Sequence, residues 1–415
     1  MKAFLRSKKY KIPYSWYRKK LLFREGGYLM AKRKKLGARK KENVDVLCYR
    51  FAALPSSEQA VQLNKTFGCC RYIWNRMLAD HNDLYREIGS VPDNTPADYK
   101  DLDECLWLNE VDSLALANVQ LNQNQAFQRF FHHEAGYPRF KSKKYSKDSY
   151  TTNNVSNNIR MESDGIRLPK LKGNLKLIQH RKIKAGGKLK SVTVCHEKDG
   201  KWYCSISFEY PKTESIYPKP SENIKHIGLD MSATHLYVDS DGKLAGFKKP
   251  YKKLQTKLAR EQRKLSLKPE DSKNREKQRQ VVAKLHAKIK HQRMDSLHKI
   301  SEQLTREYDL ISIEDLNMSA LKQTLRLGKS YSDNGWGMFV TMLLYKGKRN
   351  GCCIVKVDKW FPSSKKCSIC GYIHKELQLS DRTYICPNCG NIIDRDKQGA
   401  INIDQEGLRI LLTSV

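Results

Sequence analysis

Four cysteines in two close pairs constrain this chain more than any other feature. Cys367-x-x-Cys370 and Cys386-x-x-Cys389 are separated by fifteen residues, and a glycine follows each pair (Gly371, Gly390). Glycine lets backbone amides turn back onto the sulfurs, so two such knuckles bring four thiolates within tetrahedral reach of one zinc ion. Four sulfurs fill the shell and leave no position for a reactive water, so the predicted zinc is structural. The remaining cysteines are scattered through apolar runs, Cys69, Cys70, Cys204, Cys352 and Cys353 among them, as buried reduced thiols would be. A reducing compartment is expected.

At 415 residues the chain exceeds one average domain, and two to four cooperating units are expected. Hydrophobic residues, at 39%, suffice for real cores. There is no run of about 18 apolar residues and no apolar stretch of signal-peptide type, so neither membrane insertion nor secretion is expected. Charge points to a partner. Seventy-eight Lys+Arg against 44 Asp+Glu leave a formal +34, an excess that repels itself unless it meets a polyanion such as a phosphate backbone. The excess is uneven. Residues 55–135 hold 6 basic and 12 acidic side chains, so the rest of the chain carries +40. A segment of opposite sign is expected to have a different job.

Residues 1–43 carry 16 Lys+Arg and two acids, Glu25 and Glu42. Lys32-Arg-Lys-Lys35 and Arg39-Lys-Lys41 suit phosphate contact. Alternatively Met30 is the natural start, since Arg24-Glu-Gly-Gly27 can be encoded by a purine-rich stretch like a bacterial ribosome-binding site. A strand is predicted from Val44 to Leu54. A helix opens at Pro55-Ser56-Ser57-Glu58-Gln59, with Ser56 and Gln59 at capping-box spacing, and helical periodicity runs on to Phe131 with an interruption around Pro92. From about Ser149 to Tyr210 the period becomes two, and Val192/Val194 against Trp202/Cys204/Ile206/Phe208 predicts a hairpin across Lys198-Asp199-Gly200. One β unit interrupted by helices accounts for both halves, and residues 211–220 read as a linker.

A second unit starts near Ile224. Lys225-His-Ile-Gly-Leu-Asp230 is a short apolar strand ending in an acid, followed by a strand over residues 234–238. Residues 251–308 are helical, densely basic and broken near 266–271, with an apolar stripe at Val282, Leu285, Ile289, Leu297, Ile300 and Leu304; a nucleic-acid-facing arm is expected. Leu310-Ile-Ser-Ile-Glu314 is a second apolar strand ending in an acid. A helix around residues 335–350, a strand from Cys353 to Val357, and a closing helix over about 397–412 complete the pattern. Asp394-Arg395-Asp396 opens that last helix, whose N-terminus favours negative charge. Strand–acid, strand–acid, acid–helix is the order in which an RNase H-like nuclease assembles its metal site. Three convergent carboxylates are costly unless cations neutralise them, and two Mg²⁺ ions roughly 4 Å apart would do so.

Several motifs then make a resemblance specific. Ile227-Gly-Leu-Asp230, Ile313-Glu314-Asp-Leu-Asn317, Tyr331-Ser-Asp-Asn-Gly-Trp-Gly337, Phe361-Pro-Ser-Ser-x-x-Cys-x-x-Cys-Gly371 and Cys386-Pro-Asn-Cys-Gly-x-x-x-Asp-Arg-Asp396 resemble the TnpB family, transposon-associated RNA-guided DNA endonucleases related to type V CRISPR effectors. Leu63-Asn-Lys-Thr-Phe-Gly-Cys-Cys-Arg71, Tyr137-Pro-Arg-Phe-Lys141 and Leu168-Pro-Lys-Leu-Lys172 extend it, so that it spans about residues 44–405. The resemblance implies a multidomain α+β chain. Its parts would be a basic N-terminal extension (1–43), a wedge β-barrel (44–60 and 145–222) and a helical recognition insert (61–144). A RuvC nuclease domain of RNase H-like α/β type (223–360 and 391–415) would follow, interrupted by a zinc-binding target-loading module (361–390). It further implies Asp230, Glu314 and Asp396 as catalytic Mg²⁺ ligands, Arg382 as a phosphate-handling residue, and Cys367, Cys370, Cys386 and Cys389 around one Zn²⁺. The implied partners are guide RNA, double-stranded target DNA and its displaced single strand, met by a monomer in the ribonucleoprotein, in the bacterial cytoplasm at the nucleoid.

Departures accompany the match. The family reads Asn-Ala-Ala where this chain has Gln398-Gly399-Ala400, and a glycine inside a helix costs up to about 1 kcal/mol and is expected to loosen it. The polar tail of many relatives is almost absent. Residues 112–118 and 150–158 match the family's reader of the short target-adjacent DNA motif, with different side chains. Three other readings are a CRISPR-associated type V effector, a guided DNA-binding repressor that does not cut, and a zinc-ribbon accessory protein; the intact acids argue against the repressor.

Overall fold

A computed structural model describes residues 44–89, 92–212, 217, 221, 223–232, 234–247, 249–316, 335–378 and 381–413. The basic leader with Met30, most of the 211–220 linker, Asn317 and the first four residues of the motif starting at Tyr331 lie outside them.

The alternating segments form one antiparallel sheet of seven strands: β1 (Val44–Leu54), β2 (Asp148–Asn153), β3 (Arg160–Glu162), β4 (Gly165–Arg167), β5 (Asn174–Ile178), β6 (Lys188–His196) and β7 (Trp202–Pro211). Their order is β2-β6-β7-β1-β5-β4-β3. Among the described strand pairs β2 and β3 are not paired to each other, and the chain links them through residues 154–159. Period two decides the buried face, on which Phe51, Val192, Val194, Cys204 and Ile206 are buried.

Between β1 and β2 the acidic segment folds as α1 (Ser57–Ile88), α2 (Pro96–Lys100), a 3₁₀ stretch (Asp103–Glu110) and α3 (Ser113–Phe131). The capping box at the start of α1 is present in both directions: Ser56 Oγ accepts from the Gln59 amide and the Gln59 side chain accepts from the Ser56 amide. Leu63, Phe67, Ile73 and Leu116 join the core of the sheet, so helices and sheet share one interior.

The second unit comprises β8 (His226–Met231), β9 (Tyr237–Asp239), α4 (Pro250–Ser266), α5 (Lys273–Glu307), β10 (Leu310–Glu314), α6 (Trp336–Asn350), β11 (Cys353–Val357), β12 (Thr383–Ile385), β13 (Ile392–Asp394) and α7 (Arg395–Thr413). Its main sheet runs β11-β10-β8-β9, with β10 parallel to both neighbours and β9 antiparallel to β8. The strand expected over 234–238 starts only at Tyr237. Ser232 Oγ accepts from the amides of Thr234 and His235 and Leu236 has φ 48°, so a tight turn uses up the preceding residues. The helical arm breaks where expected. Asp271 takes φ 64° and Ser272 caps α5 through the Arg275 amide. Leu258, Val282, Leu285 and Ile289 pack α4 onto α5, which leaves the basic side chains outside.

Parity again decides which residues face which layer. Ile227, Leu229, Ile311 and Ile313 point into a core with Leu297 and Leu304 of α5 and Trp336, Phe339 and Leu343 of α6. Gly228, Asp230, Ser312 and Glu314 therefore point to the opposite face, where α7 lies. Only small groups separate helix from strand there. A Cβ on Gly228 would stand 2.2 Å from the Ala400 carbonyl oxygen, and one on Gly407 would stand 1.8 Å from Ser312 Oγ. Gly228→Ala is expected to cost about 1–3 kcal/mol of stability by overpacking. Gly246→Ala, whose added Cβ would meet nothing within 4 Å, should stay within about 0.5 kcal/mol. Calorimetric unfolding of the two variants checks the difference.

Candidate active site and metal centre

The last paired residues of β8 and β10 are Leu229 and Ile313, in parallel register. One residue further along each strand come Asp230 and Glu314, on the same face and on strands about 4.8 Å apart. The helix α7 runs antiparallel to those strands, with Gly399 near Asp230, Ala400 near Gly228 and Gly407 near Ser312. Its first turn, with Asp396, therefore sits at the strand ends that carry the other two acids. Among the described residues the cysteine set alone holds its ligand atoms within 4.8 Å of one another; the three acids are spread more widely.

Electrostatics records the convergence. Burial pushes the Asp230 carboxyl well above the ordinary range, and the charges of Glu314 and Asp396 push it further; the Met231 amide and Arg395 oppose them. Burial also raises Glu314, opposed by a hydrogen bond from Ser363. A donor set that resists its own ionisation suits divalent cations, which would favour the carboxylate forms. Gly399 belongs to this geometry. The helix runs through it unbroken, and an added Cβ would lie 3.1 Å from Asp230 Oδ2. The glycine leaves room for that carboxylate. Asp394 ends β13, and its Oδ1 accepts from the Lys397 amide as the cap of α7.

The cysteine motif builds two like knuckles. The amides of Gly371 and Gly390 donate to the carbonyls of Cys367 and Cys386, and the two glycines take φ 77° and 72°. Sulfurs in a tetrahedral zinc shell with bonds of about 2.3 Å lie about 3.8 Å apart. Cys367 and Cys389 are 3.7 Å apart, and Cys370 and Cys386 3.5 Å. A hydrogen bond from Asn388, foremost, and one from the Tyr372 backbone hold the Cys370 thiol down to about 6, so it is readily a thiolate. The set fits zinc. The ribbon's apolar core is small, Leu377 and the fully buried Tyr384 with two of the cysteines, while Ile369, Ile385 and Ile392 are exposed.

Arg382 sits at the mouth of the β12–β13 hairpin. Its carbonyl accepts from the Arg395 amide, one residue before Asp396, and its side chain is exposed. Residues 112–118 and β2 are brought together at the start of α3. Asp112 caps α3 through the Leu114 amide and accepts the Thr152 hydroxyl, so both side chains serve this packing. The cleft beside them is lined by the exposed Asn122 and Lys147 and by the half-buried Arg71 and Lys141, of which Arg71 pairs with Asp148 and Lys141 stacks on Trp74.

The sequence reading gave no role to three side chains near the acids: Ser363, which donates to Glu314 Oε1, and the buried Gln398 and Asn402, which bind the segment carrying it. Ser363 lies inside the Phe361-Pro-Ser-Ser motif, and that placement was the available signal.

Three family models match. One described as "Probable transposase" covers residues 194–325, one described as "Cas12f1-like, TNB domain" covers 336–403, and one described as "Helix-turn-helix domain" covers 47–90. In this chain the last stretch is β1 followed by one long helix. A "Putative RNA-guided DNA endonuclease" of Streptomyces pristinaespiralis is 34% identical, with 87% of this chain and 88% of the relative covered. The "Putative RNA-guided DNA endonuclease InsQ" of Escherichia coli is 30% identical over 88% of this chain and 92% of its own length. Among solved structures, the Cas12f1 chain of a complex with sgRNA and target DNA shares the fold at a TM-score of 0.54, 11% identity, and coverage of 87% of this chain and 99% of that one.

The strained acids make a stability prediction. Asp230→Asn should raise the melting temperature of the zinc-loaded protein without added Mg²⁺ or Mn²⁺, by a few °C for each kcal/mol of repulsion relieved. It should also abolish the rise that Mn²⁺ gives the wild type. Thermal scans with and without Mn²⁺ measure both. For the ribbon, Cys386→Ser should lose zinc by metal analysis while Arg382→Ala retains it.

Proposed function

The chain belongs to the TnpB family, and we propose that it is an RNA-guided DNA endonuclease whose cutting site is Asp230, Glu314 and Asp396. The reading rests on one observation above the rest: parallel register and a helix lying directly on the sheet bring acids from three distant segments to one sheet end, where Asp230 feels the charge of both others. These residues would hold two Mg²⁺ ions, which when bound supply a polarised water for attack on phosphorus and counter-charge for the leaving 3′ oxygen. The protein's part is to keep the three carboxylates close and partly buried, so that the ions rather than protons satisfy them. One site would serve both strands in turn.

In this reading residues 44–60 and 145–222 are the wedge, 61–144 the recognition insert, 223–360 and 391–415 a RuvC nuclease domain, and 361–390 the target-loading module. Zinc holds the ribbon in shape and takes no part in bond breaking. Arg382, beside the first turn of α7, would meet a phosphate of the strand being cut. Guide RNA would lie on the basic surfaces, among them the outward side of the α4–α5 arm. The exposed Asn122 and Lys147 of the cleft beside α3 would face the short duplex motif, with base pairing reading the rest of the target. A monomer in the ribonucleoprotein, acting at the bacterial nucleoid, completes the proposal.

The test is cleavage of a guided target. Asp230→Ala, Glu314→Ala and Asp396→Ala should each abolish cutting and spare guided binding, and the double variants should be no worse than the singles. Residual rates within roughly tenfold of wild type would remove that residue from the site. Asp394→Asn keeps an oxygen that can cap the helix and loses only the charge, so it should still cut.

A further inference from the structure

Glu314 is held from outside its own sheet. The Ser363 hydroxyl donates to Glu314 Oε1, and Ser363 is buried at 7% exposure. The segment that presents it is tightly wound: the amides of Lys365 and Lys366 both donate to the Pro362 carbonyl, and that of Ser363 to the Phe361 carbonyl. It is also bound from below by α7. Asn402 Nδ2 donates to the carbonyls of Ser363 and Lys366, each at 2.6 Å, and Gln398 Nε2 donates to the Lys366 carbonyl at 2.6 Å. Gln398 Oε1 in turn accepts from Ser368 Oγ, between the first two cysteines, at 3.1 Å. Gln398 and Asn402 are 0% and 1% exposed, so these bonds meet no competition from solvent.

We propose that Ser363 is a positioning residue for cleavage, which fixes the Glu314 carboxylate by occupying Oε1 and leaves the second oxygen for a divalent cation. The inference rests on the reading of Glu314 as a metal ligand. Its physical basis is that a carboxylate ligand free to rotate loses affinity, whereas one hydrogen-bonded from behind is pre-set. The same chain of bonds makes the first cysteine knuckle part of that support: from Ser368 through Gln398 and the Lys366 carbonyl, and through Asn402, the ribbon's lead-in is locked to the helix that carries Asp396. Ser363 acts through Glu314 and touches no reacting atom.

The experiment titrates Mn²⁺ into the zinc-loaded full chain, following free Mn²⁺ by electron paramagnetic resonance, and pairs this with cleavage rates of the guide complex across Mg²⁺ concentrations. Ser363→Ala should weaken Mn²⁺ binding and raise the half-maximal Mg²⁺ concentration, each by about 10–100-fold. Zinc content and guide-RNA binding should be unchanged. Ser363→Thr, which keeps the hydroxyl, should recover most of the loss. In a Glu314→Gln background, Ser363→Ala should cost nothing further. Wild-type Mn²⁺ binding by Ser363→Ala would overturn the proposal. So would loss of zinc, or equal damage by Ala and Thr, since either would show a merely structural role. If Glu314→Gln alone left Mn²⁺ binding and cleavage intact, the ligand assignment itself would fall and take this inference with it, an outcome that the Ser363 variants alone would not produce.

Discussion

The direct seat of the last helix on the central strands is the constraint from which the rest follows. At Gly228 and Gly407 helix and sheet are closer than any Cβ would permit. That approach fixes the height of α7 over β8 and β10 at two points, and two points fix its direction. Once the direction is set, the position of Asp396 relative to Asp230 and Glu314 is no longer adjustable. A bulkier interface, with ordinary side chains between the layers, would hold the helix several ångströms further out and leave the acids apart. Small residues here do the work that flexible hinges cannot do: they define a distance.

Fold stability and site chemistry pull against each other at that sheet end. The core on the opposite face packs Trp336, Phe339 and Leu343 with Ile227, Leu229, Ile311 and Ile313, all buried. It anchors strands whose other face carries carboxylates that repel one another. The same alternation along β8 and β10 thus supplies both the stabilising and the destabilising residues. The cysteine ribbon shows a related division. Its apolar core is too small to hold it alone, so bound metal would contribute much of its folding free energy.

Much of this was legible from residue order alone, for identifiable reasons. The strand Val44–Leu54, the capping box at Ser56 and Gln59, the break before Ser272 and the strand Cys353–Val357 all have local signals, and all four are present in the structure. The knuckles were legible because two cysteines and a glycine encode a turn by themselves. The acids were legible as candidates through their position at strand ends. What could not be read was long-range. Nothing local says that Asn402 binds the carbonyl of Ser363, 39 positions away. Nor could the space at Gly399 be foreseen, because a glycine in a helix looks like a weakness until the Asp230 carboxylate is seen beside it. The turn at Ser232 hid for a different reason: its hydroxyl competes for amides that the pattern of apolar residues assigned to a strand.

The junction between ribbon and helix has no slack. β13 pairs with β12 through Asp394, the Arg395 amide continues that pairing to Arg382, and α7 begins at Arg395. Each residue of an α-helix advances about 100° around its axis. A single residue gained or lost between Asp396 and Gly399 would therefore swing the acid about a quarter turn away from the sheet, even with the rest of the helix seated as before. Elsewhere in the ribbon, between its two knuckles, added length would be absorbed as a longer loop. The junction is thus phase-locked, and insertions and deletions in chains built this way should avoid it while tolerating the loop a few residues upstream.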